Sequence, residues 1–565
     1  MTFLVNSAAD FADEALAGMV AANPRYLRAV HGGVVRATKV PDGQVGVVVG
    51  GGSGHYPAFA GWVGPGLATG AACGNIFASP SASQIYSVLK ASDHGAGVFV
   101  SFGNYAGDVL HFGEAADKLR AEGVDVRIVT VTDDIASAPA DQALERRGIA
   151  GDLVIFKCAA AAAEAGADLD EVERVARLAN DRTRTFGIAF SGCTLPGADH
   201  PLFTVPEGQM SLGLGIHGEP GIAEQPIGTA DEIAQLLVDK VVAEDPGDST
   251  RILAMLNGLG TVKYEELFVT YARVAALLEE RGYEIVEAEV DEQCTSLDMA
   301  GLSLTLCWFD DELERLWCAP CDTPAYRKGS VDTVELDDRP LDTVENDVIP
   351  DAAPESRAAA ALIADAIADV HSMLAESESY LGDIDAVAGD GDHGIGMSRG
   401  AAAADETARD LVARGAGAST LLQRVAEAWS ERAGGTSGAL WGAALRAAGR
   451  RLDDQSAPTS AAVIEAAVAA VDEIVSVGGA EPGDKTMVDA ALPFRDALRG
   501  SDQGLAAAWA EAVSAAEAGA ESTASIAAKR GRAKTHHERS IGTPDPGAVS
   551  FSRIVAVIGR RLGTD

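Results

Sequence analysis

The densest chemistry in the chain lies at residues 381–397, LGDIDAVAGDGDHGIGM. Asp385, Asp390 and Asp392 follow a D-x4-D-x-D spacing, and Gly391 permits a sharp turn between the last two. Crowded carboxylates repel one another, so such a cluster needs a cation or a proton. An EF-hand is excluded, because position 394 is Gly and position 401 is Ala. Magnesium with bridging phosphates is the natural occupant, since it accepts one or two carboxylates and keeps water and phosphate oxygens. Capping of the next helix by loop aspartates is the alternative. Two glycine-rich stretches nearby suit anions. GGTSG at 434–438 and GGAEPGDKTM at 478–487 each precede a helical pattern, where unpaired N–H groups attract phosphate.

A second set of candidates lies far upstream. GGGSGH at 50–55 follows an apolar run. Consecutive glycines let backbone N–H groups approach a small polar ligand. The loop is not a Walker A sequence, and it fails the dinucleotide spacing because position 55 is His. A tight turn without a ligand explains it equally well. GLGIHGEPG at 213–221 matches G-x-G-x-x-G literally, but Pro220 and Gly221 spoil the helix that a Rossmann turn must open. His217 sits there among small residues, so a ligand can reach its ring; an ordinary loop histidine is the plainer alternative. WCAPC at 317–321 imitates a redox motif, but Pro320 and an acidic stretch follow where a helix is required.

The elements around these motifs divide the chain. Residues 44–49 (QVGVVV), 97–101, 124–132 and 152–156 (DLVIF) read as short buried strands, with helical patterns at 81–91 and 108–122 between them. That alternation predicts α/β layers on a mostly parallel sheet over about 1–183. A second such unit, 184–330, has strands at 251–256 and 303–308 and helices at 230–242 and 264–281. Residues 331–351 carry eight acidic residues, one Arg and two prolines, and an acidic linker is expected over 331–353. From 354 to 565 the pattern is Ala-rich and helical, so the fold class is multidomain, with an N-terminal α/β pair and an all-α C-terminal domain.

Composition sets the outer bounds. The 565 residues allow about three or four domains. Hydrophobic residues at 47% exclude disorder as the main state. Lys and Arg total 44 against 84 Asp and Glu, a net charge of −40. Such a surface repels nucleic acid and anionic membranes, and it binds a nucleotide only through metal ions or backbone N–H groups. Seven cysteines, none after Cys321, and no leader pattern point to a cytoplasmic home.

Together the motifs carry a resemblance. GGGSGH at 50–55, FASPS at 77–81, NYAGD at 104–108 and GLGIHGEPG at 213–221 resemble, in order and spacing, the ketose-binding domain of the dihydroxyacetone kinase family. The similarity spans about residues 15–325. It implies that His217 adds a ring nitrogen to the carbonyl carbon of a small ketose, giving a hemiaminal. A covalent test for a carbonyl rejects glycerol far better than size alone. It also implies that Gly52, Ser53, Gly54 and His55 line the ketose site. His55 and Asp108 would lie at the terminal hydroxyl, one of them accepting its proton. Three positions depart from the family pattern. Tyr56 stands where GHEP has Glu, Phe59 where Ala-His-Ala has His, and Gly103 where a Lys is common. Loss of a long cation and gain of aromatics reshape the pocket toward a four-carbon ketose such as erythrulose.

Residues 355–560 resemble the nucleotide-binding domain of the same family, a barrel of antiparallel helices. By that resemblance Asp385, Asp390 and Asp392 hold two Mg²⁺ ions against ATP. His393, Gly394, Ile395, Gly396, Thr436 and Ser437 cradle phosphates, and Gly478 and Met487 flank adenine. Arg532, Asp545, Pro546 and Gly547 close the site. His536 and His537 stand in a stretch where the family often has Tyr, and they receive no role. The expected protein is an ATP-dependent ketose kinase working as a homodimer. The rivals are the same kinase with FMN-forming activity on FAD, and a ketose-sensing co-regulator without turnover. The aspartates argue against the co-regulator, which needs no metal-phosphate site.

Overall fold

The computed structural model describes residues 4–219, 221–341, 348–387, 389, 391–501, 503–529 and 540–562. It divides into two compact units, residues 1–345 and 346–565.

The first unit opens with α1 (Phe11–Ala22) and builds a six-stranded sheet. Its strands are β1 (Leu27–Val30), β2 (Gly33–Arg36), β3 (Gly46–Ser53), β4 (Gly70–Ile76), β5 (Val98–Gly103) and β6 (Val126–Val131), in the order β1-β2-β4-β3-β5-β6. β4, β3, β5 and β6 run parallel, and β1 and β2 form an antiparallel edge. Helices α2 (Ala82–Ser92) and α3 (Ala106–Ala121) cover one face; α4 (Asp152–Glu164) and α5 (Leu169–Asp181) cover the other. Alternation along β3 divides its side chains between the two. Val48 packs with Ile85 and Phe112, while Val47 and Val49 join the cluster of Leu153 and Phe156.

A second six-stranded sheet follows, from β7 (Thr183–Ala189), β8 (Gln209–Leu212), β9 (Ala223–Pro226), β10 (Arg251–Gly258), β11 (Glu284–Asp291) and β12 (Gly301–Trp308), in the order β11-β10-β12-β7-β8-β9. Ile252, Ala254 and Leu256 of β10 face α6 (Ala230–Val242) and α7 (Tyr264–Glu280). Leu253 and Met255 face the layer that holds α4 and α8 (Asp311–Trp317). The helical layer of α4 is therefore shared by both sheets.

Two expectations are corrected. Residues 152–156 are the first turns of α4, not a strand. Every residue from Asp152 to Ala163 is buried, so the helix shows no polar face, and a short apolar run does not distinguish the two states. The second sheet is also chiefly antiparallel: β10 and β11 are parallel, and its other pairs are not. The WCAPC run spans the end of α8 and β13 (Cys321–Asp322), which pairs with β14 (Arg327–Lys328). Its first Cys thus caps a helix C-terminus rather than opening a helix. Part of the acidic segment is tied down as well. Lys39 N–H donates to Glu335 O at 2.8 Å, and Asp337 N–H donates to Ala37 O at 2.8 Å.

The second unit is helical. It comprises α9 (Pro354–Asp385), α10 (His393–Ala413), α11 (Ala418–Ala433), α12 (Gly435–Gly449), α13 (Ser460–Gly478), α14 (Val488–Gly500), α15 (Leu505–Ser522) and α16 (Pro546–Leu562). Each helix packs on the next, and α16 returns to α9, which closes a barrel. Trp441 lies 5.7 Å from Trp429 and 5.8 Å from Phe551, ring centre to ring centre, in its core. By length and composition α9 is apolar enough to cross a membrane; here it is one stave of the barrel.

Candidate active site

The two sheets of the first unit bring two distant histidines together. His55 follows β3 and His217 stands in the loop between β8 and β9. Both are buried, and their Nε2 atoms are 3.0 Å apart. His55 Nδ1 faces the carbonyl oxygen of Thr295 at 2.8 Å. A carbonyl only accepts, so His55 carries its proton on Nδ1 and its Nε2 lone pair points at His217. Burial, with His217 beside it, pushes the His55 pKa down to about 3, so this ring is neutral. His217 Nε2 must then donate across the 3.0 Å contact. On its other side His217 Nδ1 meets Glu219 Oε1 at 3.0 Å, and Glu219 Oε2 accepts the His217 backbone N–H at 3.0 Å. A second proton is thus held between Nδ1 and the carboxylate. Arg147 lies 3.7 Å from Glu219 and bonds Asp134 at 2.7 and 2.9 Å, which keeps a positive charge beside the carboxylate.

Aromatic rings wall this pair. Phe77 stacks on His55 at 4.9 Å, and Tyr105 meets His217 edge-on at 4.6 Å. The Tyr105 hydroxyl donates to Gly148 O at 3.0 Å. The glycines at 52 and 54 are required by Phe77 and Ala78. A β-carbon at Gly52 would stand 2.7 Å from Ala78 N, and one at Gly54 2.8 Å from the Phe77 ring. Ser53 Oγ turns to Gly74 O at 2.6 Å. Asp108 is buried in the first turn of α3, where the parallel strands end. Burial and the carboxylates of Asp133 and Asp108 hold the neighbouring Asp152 carboxyl well above its usual range. Phe59 and Tyr56 both line the cavity beside the Gly51–Gly54 loop, with Cys73, Ile76 and Thr295. Phe59 packs on Trp62 and Phe156, and Tyr56 is 59% exposed. At Gly103, where the family commonly has Lys, a β-carbon would stand 3.0 Å from the Tyr105 ring and 3.2 Å from Gly148 O.

Sequence reasoning ranked His217, His55 and Asp108, and passed over Glu219, Phe77, Tyr105, Arg147 and Thr295. Glu219 had a signal, a carboxylate two residues from the histidine. Thr295 and Arg147 had none, because their contacts are made only once both sheets have formed.

The second candidate centre lies in the helical unit. Asp385 ends α9, and its Oδ2 accepts the His393 N–H at 3.2 Å. Asp392 stands at the start of α10. Asp390 and Arg532 lie outside the described residues, as do His536 and His537. His393, expected among the phosphate-cradling residues, opens α10. Its buried ring bonds Ser550 Oγ at 2.9 Å and Ser437 Oγ at 3.3 Å, and Gly394, Ile395 and Gly396 follow in the first turn of the helix. Gly434 and Gly435 take φ of +62° and +58° ahead of Thr436 and Ser437, and a β-carbon at Gly435 would meet nothing within 4 Å. Gly478 ends α13. Met487, at the start of α14, adjoins Gly547, whose added β-carbon would lie 3.4 Å away. Asp545 precedes Pro546, the first residue of α16. Burial pushes its carboxyl up to about 7, and the Asp385 and Asp489 carboxylates add to this. Among the described residues no three His, Cys, Asp or Glu side chains are grouped so as to hold a metal ion; Asp385 and Asp545 are close enough to repel, and Asp390 lies outside the described residues.

The chain matches the Dak1 domain over residues 17–325 and the DAK2 domain over residues 387–560. The chain belongs to the dihydroxyacetone kinase family. It is 56% identical to an L-erythrulose 1-kinase of Mycolicibacterium smegmatis over the whole of both chains. It is 52% identical to a D-erythrulose kinase of the same organism, over 98% of this chain and 97% of that one. Among solved structures, the dihydroxyacetone kinase from C. freundii in complex with AMP-PNP and Mg²⁺ is similar over 99% of both chains, with 29% identity and a TM-score of 0.53. The two-sheet unit and the helical barrel follow that fold.

Proposed function

We propose that this protein is an ATP-dependent kinase that phosphorylates the terminal hydroxyl of a four-carbon ketose of the erythrulose class. The observation that carries the reading is the 3.0 Å contact between His55 Nε2 and His217 Nε2, with Glu219 behind it. The match to the L-erythrulose 1-kinase and to the AMP-PNP complex supports the substrate and the nucleotide. When a ketose enters, His55 Nε2 takes the proton from His217 Nε2. The freed lone pair adds to the carbonyl carbon, the C=O π pair moves to oxygen, and that oxygen collects the proton from His55. The proton between His217 Nδ1 and Glu219 stays in place, and the Glu219 carboxylate balances the positive charge of the alkylated ring. His55 returns to its neutral form, and Asp108 accepts the proton of the terminal hydroxyl as that oxygen attacks phosphorus.

Gly52, Ser53 and Gly54 form the floor of the ketose site. In the helical unit, Asp385, Asp390 and Asp392 hold two Mg²⁺ ions, with Asp545 beside them. Bound magnesium neutralises the triphosphate and so offsets the net charge of −40 locally. The backbone at 394–396, Thr436 and Ser437 receive the phosphates. Gly478 and Met487 flank the base, and Arg532, Pro546 and Gly547 close over the nucleotide. A homodimer is the assembly we propose. The test is an ADP-release assay over both erythruloses, dihydroxyacetone and glyceraldehyde. The reading expects the highest kcat/KM with an erythrulose, and no ADP release with any of the four overturns it.

A further inference from the structure

Lys485 lies in GDKT, a run that invites comparison with phosphate-binding lysines, yet its ammonium group faces away from solvent. It is 7% exposed, and its backbone takes φ of +62°. Lys485 Nζ is 2.6 Å from Ser540 O, 2.6 Å from Thr543 O, 2.9 Å from Thr523 O and 3.1 Å from Ile526 O. An ammonium has three N–H donors, and here it meets four carbonyls. That geometry coordinates a cation and exceeds one-to-one hydrogen bonding. The carbonyls come from two segments, 523–526 and 540–543, which are bonded to each other by Gly542 N–H to Ala524 O at 2.8 Å. The second segment runs straight into Asp545, whose N–H donates to Thr523 Oγ1 at 2.8 Å, and then into α16, whose Ser550 holds His393. On the other side Lys485 is two residues from Met487. One buried charge therefore joins the loop before α14 to the start of α16.

We propose that Lys485 is a positioning residue for the nucleotide site, acting as a built-in monovalent cation, and that its four-carbonyl cage is a latent site for ammonium or potassium. This rests on the assignment of Met487 and residues 545–547 to the nucleotide. A rigid cation at this point fixes two walls of one pocket, whereas an empty cage loses the ammonium from all four carbonyls, of which Thr523 O keeps the Ile526 N–H at 3.1 Å, and lets the walls drift.

The test is equilibrium binding of Mg–AMP-PNP to the full-length chain, without turnover, in NaCl, KCl, NH₄Cl and tetramethylammonium chloride at matched ionic strength. Wild type is expected to bind equally in all four; a wild type that binds in none of them would instead refute the nucleotide assignment itself. Lys485→Ala is expected to bind at least about tenfold more weakly in NaCl, the worth of one charge-assisted hydrogen bond. It should recover most of that loss in NH₄Cl or KCl and none in tetramethylammonium, which is too large for the cage. Lys485→Met fills the cage with an uncharged chain, and it should bind weakly in every salt. Two results overturn the proposal: Lys485→Ala binding within about twofold of wild type in NaCl, or a loss that ammonium and potassium leave unchanged. Should Lys485→Ala fail to fold, Lys485→Met with wild-type affinity overturns it alone.

Discussion

Glu219→Gln is the most informative single change in the ketose site. Glu219 receives two donors, the His217 backbone N–H and His217 Nδ1, each at 3.0 Å. A glutamine offers one oxygen and one NH₂ group. Whichever way the amide turns, one donor faces another donor, so one of the two contacts is lost. If the amide keeps the backbone bond, Nδ1 is driven to give up its proton, and Nε2 keeps its hydrogen and loses the nucleophilic lone pair. The lost contact is charge-assisted and worth about 1.5–3 kcal/mol, or roughly 10–150-fold in hemiaminal formation. The volume is unchanged, and the Arg147–Asp134 pair remains to hold the loop. Steady-state kinetics should show kcat/KM for the ketose falling by roughly that factor while KM for ATP stays within about twofold. Unchanged ketose kinetics would refute the tautomer argument, and equal losses for both substrates would mean that Glu219 merely supports the fold.

Other outcomes follow from the same geometry. Gly52→Ala places a β-carbon 2.7 Å from Ala78 N and 2.9 Å from Phe77 C, both backbone atoms, so it should cost about 1–3 kcal/mol of stability and raise the ketose KM; an unchanged unfolding midpoint counts against the close approach. Asp385→Asn should weaken Mg–AMP-PNP binding by about tenfold or more, read by calorimetry, and leave ketose capture intact. The His55 pKa of about 3 lies below the unfolded value of about 6.5, so the unfolded chain binds the extra proton between those limits. Native stability is therefore full above about pH 6.5 and falls as pH drops toward 3, with His55 adding up to about 1.4 kcal/mol per pH unit. His55→Gln should flatten that slope in denaturant titrations; an identical slope would mean that His55 is charged in the native protein.

Much of this architecture is legible in the residues, and the failures have physical causes. The four glycine-rich motifs and the aspartate turn mark two candidate sites because glycine and carboxylate spacing is local. The helical barrel shows because its helices keep a polar face. α4 misleads because it is sandwiched between two sheets and buried all round, which erases the helical period. The second sheet misleads because alternating strands and helices do not encode strand direction, and β12 enters between β7 and β10 with both neighbours antiparallel. His393 stands beside the aspartates in sequence, yet its ring turns inward to Ser550, 157 residues away. Lys485 turns inward for the same kind of reason, since the carbonyls that attract it belong to the chain's last helix connection. Thr295 is invisible at the sequence level because any residue supplies a carbonyl; only the fold decides that this one fixes the tautomer of His55.

The central claim is a covalent bond between His217 Nε2 and the ketose, and ¹³C NMR of the protein with erythrulose labelled at its carbonyl carbon reads it directly. Wild type should convert the bound ketone resonance to that of a tetrahedral carbon bearing nitrogen and oxygen, and His217→Ala should retain only the ketone signal. A wild-type spectrum in which the bound sugar keeps its ketone resonance while ADP is still released would contradict the account.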